Sequence, residues 1–275
     1  MEWSKAKSML IALFLILNIV LAVSILSRTF SSGSNKEMMI DVLQIMNARG
    51  VSLQCEIPTE ISESRLLICE DNNSFFEPVV SKIQSKNTTN PNYYDVEIVD
   101  SNGLNDFHCR FLNSITPITM ETIEKTDLEV RLALLEEGID LVNFVRDIDA
   151  WDEFGNLKIH YIMIYDDALI FDNEIIVLLS GDGRILEIIG NYREIKKFSD
   201  SEPMKVIPPY QILLKHYNES EQVIQRIELG FMDQSKESHF VESEEGAVWR
   251  IRLEDGTERF FEATYGEEIS LEVSI

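Results

Sequence analysis

Glu174-Ile175-Ile176-Val177-Leu178-Leu179-Ser180, then Gly181-Asp182-Gly183, then Arg184-Ile185-Leu186-Glu187-Ile188-Ile189-Gly190-Asn191-Tyr192 is the stretch that decides the fold. Two apolar runs joined by a glycine-rich turn read as an antiparallel hairpin. Upstream, Leu157–Tyr165 alternates through Leu157, Ile159 and Tyr161, and Asp166-Asp167 marks a further hairpin turn. Downstream, Pro208-Pro209 starts a short helix over Tyr210–Tyr217. Three strands follow at Val223–Phe231, Gly246–Leu253 and Thr257–Ala263, the last pair turned by Asp255-Gly256, with Glu242 to Glu245 reading as a charged loop.

The first half mixes helices and strands. Met38, Met39, Val42, Leu43, Ile45 and Met46 recur at helical spacing between Glu37 and Arg49, and Gly50 closes that helix. Strand-like pieces follow at Val51–Ile57 and Arg65–Cys69. Asp71-Asn72-Asn73-Ser74 offers a cap for a helix through Phe75, Phe76, Val79, Val80 and Ile83, and Ser85 to Asn92 is turn-like. Ser101-Asn102-Gly103 turns a hairpin between Tyr93–Val99 and Asp106–Leu112. Thr126-Asp127-Leu128-Glu129 opens a helix expected to reach about Phe144, with Gly138 as a break. The whole predicts an α+β protein with antiparallel sheets. It divides into a first lobe over 37–150 and a second over 151–275.

Ahead of both lobes stands an apolar run from Met9 to Leu26, free of charge and preceded by Lys5 and Lys7. A bilayer core of roughly 30 Å needs about 20 apolar helical residues, so the run predicts a transmembrane anchor over 1–30 with its N-terminus in the cytoplasm. The competing reading is a cleaved signal peptide ending at Ala22-Val23-Ser24, against which Ile25 and Leu26 follow at once. Ser31 to Lys36 reads as a linker. Asn18 is a polar residue inside the run, with Ala22 one turn later. Polar plus small is a recipe for helix contact in membranes, so Ile11, Leu15, Asn18, Ala22 and Ile25 form the expected partner-contact face.

The 275 residues carry 48 acidic and 24 basic side chains, net −24. Lys5, Lys7 and Arg28 against Glu2 leave residues 1–28 at +2, so the remainder carries −26. That field repels nucleic acid and anionic surfaces and suits solubility, a cation or a basic partner. Cys55, Cys69 and Cys109 are odd in number and lack metal-site spacing. Cys55 and Cys69 pair if they lie on neighbouring strands; three buried thiols are the alternative.

Little catalytic chemistry is legible. His108, His160, His216 and His239 are isolated in sequence, and His160 sits on a strand as a surface or satisfied core residue. No His-Glu-x-x-His, Gly-x-Ser-x-Gly or Gly-x-x-x-x-Gly-Lys occurs, and no cofactor is expected. Asp147-Ile148-Asp149-Ala150-Trp151-Asp152-Glu153 begins like a calcium loop, but Trp151 replaces the third ligand, Asp152 stands where glycine is needed and Lys158 fills the twelfth position. It reads instead as a solvated helix-to-strand connection.

Several passages together resemble the YycI (WalI) family. They are Met1-Glu2-Trp3-Ser4-Lys5-Ala6-Lys7 running into the anchor, Ile170-Phe171-Asp172-Asn173-Glu174-Ile175-Ile176-Val177 with Gly181-Asp182-Gly183-Arg184-Ile185, Ile227-Glu228-Leu229-Gly230-Phe231, Ala247-Val248-Trp249-Arg250-Ile251 and Phe260-Phe261-Glu262-Ala263-Thr264-Tyr265-Gly266-Glu267. The closing pattern is also similar to the sister family YycH and, more loosely, to PepSY-like modules. The likeness covers the anchor and roughly 151–267, while 36–150 match in length and character. It implies a non-enzymatic extracytoplasmic body on one membrane helix, bound to the sensor kinase WalK and to a YycH-like protein, controlling cell-wall metabolism in Gram-positive bacteria. The sign of that control is not transferable, and a homodimer stays open. A membrane-tethered cell-envelope hydrolase is the first rival, marked by turnover lost on changing one carboxylate. An extracytoplasmic cation or basic-peptide binding module is the second, marked by saturable calcium binding.

Overall fold

Helix α1 (Ser34–Ala48) ends at Gly50, whose φ of 81° turns the chain into strand β1 (Val51–Leu53). The computed structural model describes residues 14, 17, 18, 34–59, 63–71, 75–89, 94–101, 104–111, 117–218, 221–233 and 242–270. Then come β2 (Glu63–Ser64), β3 (Leu67–Asp71), α2 (Glu77–Thr89), β4 (Tyr94–Ser101), β5 (Leu104–Phe111) and α3 (Ile123–Glu137). Strands β6 (Phe144–Trp151), β7 (Leu157–Tyr165), β8 (Ala168–Leu179), β9 (Ile185–Asn191), β10 (Arg193–Phe198) and β11 (Met204–Lys205) follow. Helix α4 (Pro209–His216), β12 (Gln222–Asp233), β13 (Glu242–Leu253), β14 (Glu258–Glu262) and β15 (Glu268–Ile269) complete the order.

Thirteen strands share one sheet, whose long path runs β10-β3-β13-β12-β8-β9-β5-β4. Pairing is antiparallel except where β12 meets β1 and β8. The sheet crosses the 150/151 division, because β5 pairs with β9, and β3 with β10 and β13. The expected α+β class with antiparallel sheets is therefore what forms. The hairpins at Gly181-Asp182-Gly183 and Asp255-Gly256 are both present, and Asp166 and Asp167 turn β7 into β8 with φ of 48° and 64°.

Period-2 alternation sorts the two faces. On β13, Ala247, Trp249, Ile251 and Leu253 enter the main core, while Val248, Arg250 and Arg252 take the other side. Helices α1 to α4 supply that main core, through Val42 and Met46, Val79, Val130 and Leu134, and Ile212 and Leu213. Trp249 is fully buried there and donates Nε1–H to the Ile207 carbonyl at 2.9 Å. The opposite face carries a smaller cluster of Ile162, Phe171, Met232, Val248 and Phe260.

Four readings are corrected. The helix expected to reach Phe144 stops at Glu137, where Gly138 adopts φ 101° and donates to Leu134 and Leu135. The Asp147–Trp151 passage is the strand β6, and Glu242 to Glu245 belongs to β13, with Glu245 fully buried. The polar stretch from Ser85 continues helix α2 as far as Thr89. Cys55, Cys69 and Cys109 are all free thiols. Among the described residues no helix is long and apolar enough to cross a membrane. The Met9–Leu26 run lies outside them except for Phe14, Leu17 and Asn18, and so do the cap residues 72–74.

Candidate functional site

Strand β8 has two different neighbours along one edge. Leu169 and Ile170 pair with β12, whereas Glu174 onward pairs with β9. Between them the register to β7 jumps from Ile170 to Glu174, so Phe171, Asp172 and Asn173 bulge out of the ladder. The sheet forks at this bulge, and side chains replace the missing backbone pairs. Asn173, fully buried, donates Nδ2–H to the Arg193 carbonyl and accepts the Arg193 N–H, both at 2.8 Å. Asp172 accepts the Asp233 N–H at 2.9 Å.

Charge gathers behind the fork. The Arg193 guanidinium donates to Asp233 at 2.6 Å and lies 4.0 Å from Glu245, with Arg193 and Glu245 at 1% and 0% exposure. Burial pushes the Asp172 carboxyl up to about 6, against the Asp233 amide and the Arg193 charge. Burial, and then the charge of Asp172, holds Glu245 well above the usual carboxylate range. The Cys69 thiol is also raised, first by burial and then by Glu245.

A second ionic group occupies the other face. Asp147 of β6 accepts from Arg250 at 2.8 and 2.9 Å and from Arg226 at 3.2 Å, and Arg252 also donates to it. Glu228 and Glu258 complete the set, at 2.6 Å from Arg250 and 2.7 Å from Arg252. In a flat sheet β6 and β13 would stand four strand spacings apart, roughly 19 Å. Direct contact means that the sheet curls until the β6–β7 hairpin covers β12 and β13. Burial opposes the Asp147 charge, yet the hydrogen bonds and charges of Arg250 and Arg252 prevail and hold its carboxyl below the usual range.

The histidines are engaged locally. His160 bonds Glu174 and lies 3.8 Å from Asp147, His108 bonds Glu187, and His216 meets the Gly266 carbonyl at 2.8 Å, while His239 lies outside the described residues. Of the expected anchor face, Ile11, Leu15, Ala22 and Ile25 lie outside the described residues. Asn18 is helical and exposed, and its amide donates to the Phe14 carbonyl at 2.9 Å. Sequence reasoning missed Arg193, Asp233 and Glu245, although the quoted Asp172-Asn173 motif sits at the fork itself. It also missed a surface: Leu128, Leu132 and Leu135 of α3 align at one side of the helix and remain 52–57% exposed, opposite the buried Val130 and Leu134.

Fold and site together define a sheet-dominated α+β protein that holds ionised groups inside a curled scaffold. The chain belongs to the YycI family: the model described as YycI protein matches residues 31–264. This is a family of regulatory accessory proteins of a two-component system. No curated protein matches the chain. Among solved structures, an uncharacterized protein from Eubacterium rectale is similar at 9% identity and TM-score 0.45, over 77% of this chain and 86% of that one. The C-terminal domain of YpeB from Bacillus megaterium is similar at 12% identity and TM-score 0.41, over 71% of this chain and 96% of that one.

Proposed function

We propose that the chain is a non-catalytic, single-pass membrane regulator that binds the sensor histidine kinase WalK and a YycH-like sister protein, and so tunes cell-wall signalling. Family membership across residues 31–264 carries this reading. The uncharged Met9–Leu26 run behind Lys5 and Lys7 supports an anchor with a cytoplasmic N-terminus and the bulk of the chain outside. Regulation of this kind needs only differential affinity for two kinase states.

Two surfaces suit the contact. In the anchor, the face Ile11-Leu15-Asn18-Ala22-Ile25 combines small, apolar and amide groups. Asn18 spends one N–H on Phe14, and an asparagine amide carries a second N–H and a carbonyl oxygen for a neighbouring helix. In the body, α3 exposes Leu128, Leu132 and Leu135 along one side, an apolar stripe that a partner surface can cover. The test is recovery of WalK and the YycH-like protein with tagged full-length chain from its own membranes. Hydrogen bonds between membrane helices are worth roughly 0.6–2 kcal/mol, so Asn18→Leu should weaken association by a few-fold to about thirtyfold. Ala22→Phe should do as much by blocking close approach. Undiminished recovery from both variants would assign the contact to the outer body, where Leu132→Glu should then abolish it. Recovery of neither protein with the wild-type chain would overturn the reading.

A further inference from the structure

Asp233 and Glu245 stand directly opposite each other on β12 and β13. They continue the inward-facing row of Phe231, Ala247 and Trp249, so their carboxyls enter the protein rather than water. Like charges opposed across a strand pair repel. The groups that face this point are Cys69 from β3, Asp172 from β8, Arg193 from β10, Asp233 from β12 and Glu245 from β13. Among the described residues, three carboxyls therefore face the Arg193 guanidinium. Asp172 Oδ1 and both Glu245 oxygens find no nitrogen or oxygen donor within hydrogen-bond reach. A buried carboxylate without donors is costly when ionised and far less so when neutral.

We propose that the Asp172–Asp233–Glu245 cluster is a proton-operated latch: while it holds a proton the sheet fork at β8 is closed on β10, β12 and β13, and release of that proton to water loosens the fork. With Glu245 neutral, Asp172 and Asp233 face Arg193 as two charges against one. With Glu245 ionised, a third buried negative charge joins Asp172 and Asp233 against Arg193.

The segments that would move are set by the pairing. Arg193 is tied to Asn173 through its backbone and to Asp233 through its side chain, so β10 hangs on the cluster at its first residue. Glu242–Glu245 holds β13 to β3 just beside it. The latch thus controls the outer strands β10 and β3 and leaves the β8–β9 hairpin in place.

The direction with pH follows from the burial. Asp172 is raised from 3.8 to about 6 and Glu245 well above its ordinary value, so the folded cluster binds more protons than the unfolded chain. Its contribution is complete below the ordinary carboxylate values and is lost as pH rises through the raised ones. The inference goes beyond the regulatory reading and does not depend on it.

Amide hydrogen exchange of the full-length protein at about pH 5 and about pH 8, corrected for intrinsic rates, is the test. In the wild-type chain, peptides covering 67–71, 193–198 and 242–247 should lose about tenfold of their protection through Asp172 alone, and more through Glu245. Peptides from α3 and the β8–β9 turn should not change. Glu245→Gln should cut the loss of protection between the two values to the roughly tenfold that Asp172 contributes. Equal wild-type protection at the two values overturns the latch, and so does an unchanged pH dependence in Glu245→Gln. If Glu245→Gln does not fold, Asp172→Asn is read by the same criterion, alongside the wild-type comparison.

Discussion

Asp147→Asn changes one atom in the buried ionic group and should be among the costliest polar substitutions in the protein. The carboxylate side chain is 5% exposed and accepts two bonds from Arg250 and one from Arg252. Arg226 contributes little, since its side chain is 48% exposed. Removing one partner of a buried ion pair costs about 3–5 kcal/mol when the other charge is left alone. Here Arg250 keeps Glu228 and Arg252 keeps Glu258, so neither is fully abandoned. The expected loss is therefore about 2–4 kcal/mol, the lower part of that scale being set by the surviving partners. Urea unfolding followed by tryptophan emission measures it, because Trp249 is buried in the adjoining core. A cycle with Arg250→Met should show a coupling of at least about 1 kcal/mol. The sign with pH is opposite to that of the fork. Asp147 is held below its ordinary value, so its contribution is present above 3.8 and is lost as pH falls through the lowered one. A loss under about 1 kcal/mol, or strictly additive changes in the cycle, would refute the view that Asp147 clamps the curled sheet.

Trp249→Ala should cost about 3–5 kcal/mol in urea unfolding followed by far-ultraviolet circular dichroism, through lost volume and an unpaired Ile207 carbonyl. Gly183→Ala should cost clearly more than Gly256→Ala. Both residues have φ near the left-handed region, at 83° and 85°, but an added Cβ at Gly183 would lie 2.0 Å from the Ile118 carbonyl oxygen while Gly256 opens to empty space. Equal melting temperatures for the two variants would contradict that packing.

Much of the fold was legible because it rests on local chemistry. Gly181-Asp182-Gly183 and Asp255-Gly256 specify tight turns wherever they occur between apolar runs, and alternation in Leu157–Tyr165 and Ala247–Leu253 specifies a strand with one buried face. Gly138 signalled the end of α3, although the apolar residues beyond it suggested continuation. Asp147 and Glu245 were misread for one reason. A carboxylate within a charged run is exposed far more often than buried, and only the distant arginines that face these two make burial tolerable.

By itself, then, the sequence determined the α+β class, the principal hairpins, a strongly acidic net charge and an apolar N-terminal run, because each is written in neighbouring residues or in composition. The tertiary structure alone decided the fork at Phe171-Asp172-Asn173, the Arg193 guanidinium shared behind it, and the curl that brings Asp147 onto Arg250. The fork gathers Cys69, Asp172, Arg193, Asp233 and Glu245 from five strands. No local pattern encodes such a meeting: strand order and register set it, and both arise from the whole sheet closing on its core.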